Sequence, residues 1–303
     1  MKKTFFFRIF LYNHRHGGET MDKKIIFFDV DGTLVDVRPA REYVPDLTIK
    51  AIQETRKKGN LCFLCTGRSK AEIYPYILDI GFDGIIGAGG GFVEINDEML
   101  YHKKVSKEAI NHVIDFFEEH EFDYYIESNG GLYASQHLIP RLERIIYGDL
   151  ENDPLARKKK EEEPSHFIPC LIQNQDLHRD DVNKICFLEK EGFPFDTIRN
   201  EFQNEFNVIH CTVPMFGDNS GELSVQGVNK ASAIEALITH LNIPKENTYA
   251  FGDGLNDVDM LEFCQYGIAV GNAKEALKEI ADEVTDDIAE GGIFNSMKKH
   301  KLI

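Results

Sequence analysis

Lys24-Ile25-Ile26-Phe27-Phe28-Asp29-Val30-Asp31-Gly32-Thr33 decides the fold. Ile25 to Phe28 is an apolar run without alternation. Such a run reads as a strand covered on both faces, as in a parallel sheet. It ends abruptly in two carboxylates two residues apart, followed by Gly and Thr. Leu61 to Cys65 is a second apolar run and closes at Thr66-Gly67-Arg68. Gly84 to Gly87 gives a third strand, and residues 46–58, ending at Gly59, have helical character. Ser69 is placed to cap a helix running toward Ile80. The opening is therefore β-α-β-α-β, the order of an α/β parallel sheet with helices on both faces.

The end of the chain repeats this logic. Asn229 to Leu241 reads as a helix, Thr248 to Phe251 as a strand, and Gly252-Asp253-Gly254-Leu255-Asn256-Asp257 follows it. A helix comes next, then a strand over Gly267 to Val270 and a helix over Ala273 to Ile280. Between the two halves the pattern changes. Helices are expected near 106–120 and 137–147, and strands near 123–127, 184–189, 207–213 and 222–226. This is the pattern of a separate α+β domain inserted into a parallel-sheet domain. The charged run Arg157 to Pro164 reads there as a solvated loop.

Composition narrows the function. The 303 residues are 42% hydrophobic and 28% charged, ordinary for a globular chain of about two domains. Net charge is -17, which argues against nucleic acid and anionic membrane as partners. The same field repels a phosphorylated substrate, so a phosphate site here needs local cations or a metal. Six cysteines are scattered along the chain, unlike a disulfide scaffold, and point to a reducing cytoplasm. Cys62 and Cys65 lie within the second strand and read as core packing. Residues 1–20 are too short and too charged for a signal core or a span, and read as an extension outside the fold. His166, His178 and His210 read as surface or packing residues.

In open parallel sheets, ligands bind beyond the carboxyl ends of the strands. Asp29 and Asp31, Thr66-Gly67-Arg68, and Asp253 to Asp257 would all gather there. Carboxylates so placed repel one another unless a cation intervenes. Oxygen ligands without His or Cys suit Mg²⁺ and not zinc. Asp-x-Asp-Gly-Thr is also an ordinary turn sequence. Lys230 alone reads as a surface lysine at a helix start, and Arg68 as either a substrate contact or a helix-face ion pair. Gly87 to Gly91 is no dinucleotide loop, because Phe92 stands where a glycine is needed.

Taken together, four motifs resemble the haloacid dehalogenase superfamily. Asp29-Val30-Asp31-Gly32-Thr33 is similar to its first motif, Thr66 to its second, Lys230 in Gly227-Val228-Asn229-Lys230-Ala231 to its third, and Gly252 to Asp257 to its fourth. The long insertion resembles the C2 cap of the Cof-type branch, subclass IIB. The run Gly87 to Gly91 departs from the Asn-Gly that this branch often carries. The resemblance covers residues 21–303. It implies a three-layer Rossmann-like core of residues 21–98 and 228–303, with a cap of residues 99–227 that closes over the site.

It also implies roles. Asp29 is the nucleophile of an aspartyl-phosphate mechanism, and Asp31 the general acid and base. Mg²⁺ is held by the Asp29 carboxylate, the Asp31 backbone carbonyl and Asp253, with Asp257 on a metal-bound water. Thr66, Gly67, Lys230 and Asn256 bind the phosphoryl group. The expected activity is hydrolysis of a small phosphorylated metabolite, with sugar phosphates leading, by a cytoplasmic monomer or weak homo-oligomer. A phosphomutase of the same chemistry and a non-catalytic sugar-phosphate-binding protein are the alternatives.

Overall fold

The computed structural model describes residues 23–38, 43–211 and 213–303. The extension expected over residues 1–20 lies outside them. The chain divides into two compact units, one of residues up to Phe28, Gly32–Phe63 and Glu235–Ile303, the other of Asp29–Asp31 and Leu64–Ile234.

The first unit is built on a parallel sheet. Its strands run in the order Glu283–Val284, Tyr266–Ala269, Thr248–Gly252, Ile25–Phe28 and Leu61–Cys65, the last two residues of which open the second unit. Ile25–Phe28 lies parallel to Thr248–Gly252, with Phe28 opposite Phe251. All four side chains of Ile25–Phe28 are fully buried, which explains the unbroken apolar run. The rings of Phe28 and Phe251 stack at 5.4 Å. Helix Asp46–Lys57 carries an acidic residue in its first turn and Arg56 and Lys57 in its last, as the helix dipole favours. It packs on helix Gly292–Lys299.

The second unit contains an antiparallel meander, Gly84–Gly87, Phe92–Ile95 and Glu98–His102. The hairpin between the last two was absent from the sequence reading. Its turn places Asn96 and Asp97 at φ 47° and 65°, residues that tolerate the left-handed region. Beyond it lies a six-stranded sheet in the order Phe206–His210, Gly221–Val225, Val182–Phe187, Tyr124–Ser128, Leu132–Ala134 and Leu171–Ile172. Helices Lys107–Glu119 and Phe195–Phe202 cover one face. Phe117, Tyr124, Phe187, Phe202 and Phe206 are buried there in one aromatic core. On the other face Tyr125, Leu132, Cys186 and Leu188 pack with Leu138 and Leu142 of helix Leu138–Tyr147.

Two expectations need correction. The charged run Arg157 to Pro164 is no loop for most of its length: Pro154–Glu162 is a helix. Pro154 sits at its first turn, where a missing N–H costs nothing, and the Asp153 carboxylate accepts from Leu155 N at 2.8 Å. Lys158 pairs with Glu162 one turn on, and Lys160 Nζ reaches Glu143 at 2.6 Å. The helix expected from Ser69 to Ile80 is instead broken. Ser69 caps a single 3-10 turn, Lys70–Glu72, and a new short helix starts at Pro75. The Pro75 ring disfavours helical geometry at Tyr74, which is extended at φ -68°, ψ 150°.

The aromatic core sets the stability of the second unit. Phe117 is fully buried, with its ring 4.8 Å from Phe122, 5.2 Å from Tyr124 and 5.4 Å from Phe187. Phe117→Ala is expected to cost about 3–5 kcal/mol. Urea unfolding of the full chain, followed by tyrosine fluorescence and far-ultraviolet circular dichroism, measures it. A loss below about 1 kcal/mol would show that the core closes over the cavity far more freely than such cores do.

Candidate active site

Strand register explains how distant aspartates become neighbours. Phe28 and Phe251 are opposite each other on adjacent parallel strands. Asp29 follows the first, and Gly252-Asp253 the second. Carboxylate oxygens of Asp29, Asp253 and Asp257 all lie within 4.8 Å of one another. Gly32 makes this approach possible. It has φ +84°, and a Cβ there would stand 2.3 Å from the Asp253 carboxylate. Thr33 Oγ1 donates to Asp253 Oδ1 at 2.9 Å. Thus Gly-Thr after Asp-x-Asp gives the backbone room and orients the third carboxylate.

Asp257 is fully buried and turns inward. Its Oδ2 accepts from the backbone N–H groups of Asp253 and Gly254, each at 3.0 Å. These bonds lock the turn after Thr248–Gly252 and offset some of its charge. Asn256 stands exposed on the same turn, so its side chain is not drawn into the carboxylate cluster.

Lys230 supplies the ammonium. It begins helix Lys230–Leu241, and its Nζ lies 2.6 Å from Asp29 Oδ1, with both side chains at most 5% exposed. An unpaired charge at such burial is prohibitive, so each partner fixes the other. The backbone packs closely at the helix entry. A Cβ on Gly90 would sit 2.3 Å from the Asn229 carbonyl, which accounts for part of the glycine run after the third strand.

Asp31 takes another direction. Its carboxylate is 47% exposed and is held by Arg68 through Nε at 2.9 Å and Nη2 at 2.5 Å. Arg68 is itself anchored, donating from Nη1 to the Glu72 carbonyl at 2.8 Å and lying over the Tyr74 ring. Burial opposes its charge, but the hydrogen bonds and field of Asp31 outweigh this and push its pKa further up. Arg68 is therefore an ion-pair partner of Asp31, across two loops at strand ends and not along a helix face as the sequence suggests. Thr66 is buried, and its Oγ1 accepts from Arg68 N at 3.1 Å. Gly67 is exposed at the tip of the same turn.

Sequence reasoning missed the hydrogen-bond chain beginning at Ser69. Ser69 Oγ donates to Glu127 Oε2 at 3.0 Å and accepts from Asn183 Nδ2 at 3.1 Å. Asn183 Oδ1 meets His102 Nε2. Burial and the nearby Glu127 charge push the Glu72 carboxyl well above the usual range. Burial also opposes charge on Glu127, but Lys184 and hydrogen bonds from Glu72 and Cys186 hold its carboxyl below it. Glu72 thus keeps a proton where Glu127 stays ionised. Of the three histidines read as packing or surface, His210 stacks on Phe195 at 3.6 Å and His178 Nδ1 meets Asn111 at 2.8 Å. All six cysteines are free, and Cys62 and Cys65 are buried in the sheet.

An all-oxygen set of three carboxylates beside one ammonium fits a hard divalent cation such as Mg²⁺. Asp29 and Asp253 would hold it, with Asp257 supporting them.

Comparison with known proteins gives the family. The family model for haloacid dehalogenase-like hydrolases matches residues 26–297. YkrA of Bacillus subtilis strain 168, which carries a phosphatase name, is 29% identical over 287 residues, covering 93% of this chain and all of its own. The 5-amino-6-(5-phospho-D-ribitylamino)uracil phosphatase YcsE of the same organism is 24% identical, covering 92% of this chain and 96% of its own. Among solved structures, the subclass IIB sugar phosphatase BT4131 superposes with TM-score 0.68 at 24% identity, over 93% of this chain and all of its own. With its fold, its motif order and a family match over nearly its whole length, the chain belongs to the haloacid dehalogenase-like hydrolases.

Proposed function

We propose that this chain is a Mg²⁺-dependent phosphomonoester hydrolase that works through an aspartyl phosphate on Asp29. The observation that carries the reading is the buried Asp29–Lys230 contact at 2.6 Å within a cluster of carboxylates. A carboxylate in that position is paired with a cation, oriented and poorly hydrated, as a nucleophile should be. Residues 21–98 and 228–303 form the catalytic core in this reading, and residues 99–227 the cap.

Asp29 attacks phosphorus and forms a P–O bond as the bond to the leaving alcohol breaks. Asp31 gives that alcohol a proton. In the second half, Asp31 takes a proton from water as the water oxygen bonds to phosphorus and the Asp29–phosphorus bond breaks. The products are the alcohol and inorganic phosphate, and Asp29 is regenerated. Lys230 offsets charge on Asp29 and on the phosphoryl group. Thr66, the Gly67 amide and Asn256 bind phosphoryl oxygens. Bound Mg²⁺ would supply the positive field that lets one anion approach another. The substrate class is a small phosphorylated metabolite. Relatives include one named for a phosphorylated ribityl compound, which favours sugar or polyol phosphates. Turnover to free phosphate, not an isomeric phosphate, separates this reading from a phosphomutase.

Asp29→Asn is expected to abolish Mg²⁺-dependent release of p-nitrophenol from p-nitrophenyl phosphate, a fall of at least about 10³-fold, with the folded state kept. Asparagine still offers Lys230 an oxygen, so circular dichroism should show the fold kept, with a lower melting temperature for the lost ion pair. Full activity in that variant would remove Asp29 from the nucleophile's place.

Chelation tests the carboxylate cluster separately. Dialysis against EDTA should eliminate turnover, and Mg²⁺ should restore it where Zn²⁺ does not. In Asp253→Asn the Mg²⁺ concentration for half-maximal activity should rise by at least about tenfold, as lost coordination predicts. An unchanged Mg²⁺ requirement would exclude Asp253 from the metal's ligands.

A further inference from the structure

The sheet face opposite the aromatic core carries a row of charge. Glu127 and Lys184 are register partners on adjacent strands, and Glu222, paired with Cys186, lies on the next strand. Lys184 Nζ is 3.1 Å from Glu127 Oε1 and 3.1 Å from Glu222 Oε2. The Glu127 side chain is 1% exposed, while Lys184 and Glu222 each keep 16% of theirs open. Tyr125 and Cys186 share this face but are buried in apolar packing. The Glu127 end of the row is its more buried end.

That end adjoins the catalytic loop. Glu127 Oε2 accepts from Ser69 Oγ, and Ser69 follows Arg68, which holds Asp31. The row therefore starts beside the group that protonates the leaving alcohol. Stability does not explain it, because buried ion pairs generally do no better than apolar residues of the same size. Hydrogen-bond capacity is also left over. An ammonium has three donors, and Lys184 places two on Glu127 and Glu222. Glu222 uses only Oε2 in that contact. A free donor and a free acceptor side by side match vicinal hydroxyls, each of which both donates and accepts. Two carboxylates around one ammonium leave the row net negative, which disfavours a second phosphate or carboxylate on the substrate.

We propose that Lys184 and Glu222 read the hydroxyls of the leaving alcohol and select monophosphates of neutral sugars or polyols over bisphosphates and aryl phosphates. This rests on the phosphatase reading and adds to it a specificity site.

The test compares kcat/KM of the full-length protein with Mg²⁺ on three kinds of probe. These are a panel of pentose, hexose and alditol monophosphates, a hexose bisphosphate, and p-nitrophenyl phosphate. Wild type should prefer a member of the first panel to both others. Glu222→Gln should lower the ratio of the best polyol monophosphate to p-nitrophenyl phosphate by about tenfold or more, chiefly through KM, the size expected for one hydrogen bond to a charged group. Lys184→Met would strand two carboxylates and risks unfolding, so the paired variant Glu127→Gln/Lys184→Gln serves as the second arm and should shift the ratio the same way. A ratio unchanged within about twofold in both variants, or a wild-type preference for the bisphosphate, sinks the proposal. Absence of wild-type turnover on every probe, p-nitrophenyl phosphate included, would instead strike the phosphatase reading beneath it.

Discussion

Everything at the candidate site is constrained by one buried contact, the Lys230 ammonium 2.6 Å from Asp29. Asp29 lies within 4.8 Å of two further carboxylates, in a place with little water to screen them. Like charges so close cannot all persist without compensation. Lys230 meets Asp29, the Thr33 hydroxyl donates to Asp253, and two backbone amides donate to Asp257. Three carboxylates so gathered are a set that a divalent cation would meet. The ion pair also links residues 201 positions apart in sequence, so the start of helix Lys230–Leu241 is fixed by chemistry as well as by packing.

The supporting architecture serves that contact with few devices. Unbroken apolar strands bury both faces, so polar residues can emerge only at strand ends. Parallel register brings two of those ends together. Two glycines then clear space: Gly32 beside Asp253, and Gly252 beside Asp257, where a Cβ would come within 2.6 Å of the Asp257 side chain. A methyl group at either place would push a carboxylate out of the cluster. The glycines of the Asp-x-Asp-Gly and Gly-Asp-Gly segments are thus steric requirements of the charge arrangement.

Strands and acidic positions were legible in the sequence because burial and strand ends leave a composition signal that needs no partner. Ile25 to Asp29 could be read alone, and Asp253 by the same rule. Side-chain pairing was less legible. Nothing in Thr66-Gly67-Arg68 says that the guanidinium turns to Asp31, because that depends on a strand 37 residues away. Helix Pro154–Glu162 was hidden by its charge, since its support comes from Asp153 and from Glu143 on another helix, not from an apolar stripe. The break at Pro75 was visible, but its weight against Ser69 was not. The row Glu127, Lys184 and Glu222 could not be assembled from sequence, because it spans three strands whose register is set by the fold.

The Arg68 clamp bears directly on how such a site can work. A carboxylate gripped by both arms of a guanidinium has an oxygen committed to each arm, and Asp31 is held so by Arg68. To act as a proton donor, Asp31 has to give up at least part of that grip. The ease of release depends on what else holds Arg68, namely the Glu72 carbonyl and the Tyr74 ring. Glu72 in turn accepts from Ser69 N through Oε2, and Ser69 hydrogen-bonds Glu127 on the six-stranded sheet. Asp31 and the proposed leaving-group site therefore share one chain of hydrogen bonds. A leaving group that settles against Lys184 and Glu222 presses on the same elements that set the position of Asp31. In the proposed mechanism, selection of the alcohol and delivery of its proton would be coupled by covalent neighbours, Arg68 and Ser69, with no need for a longer route through the fold.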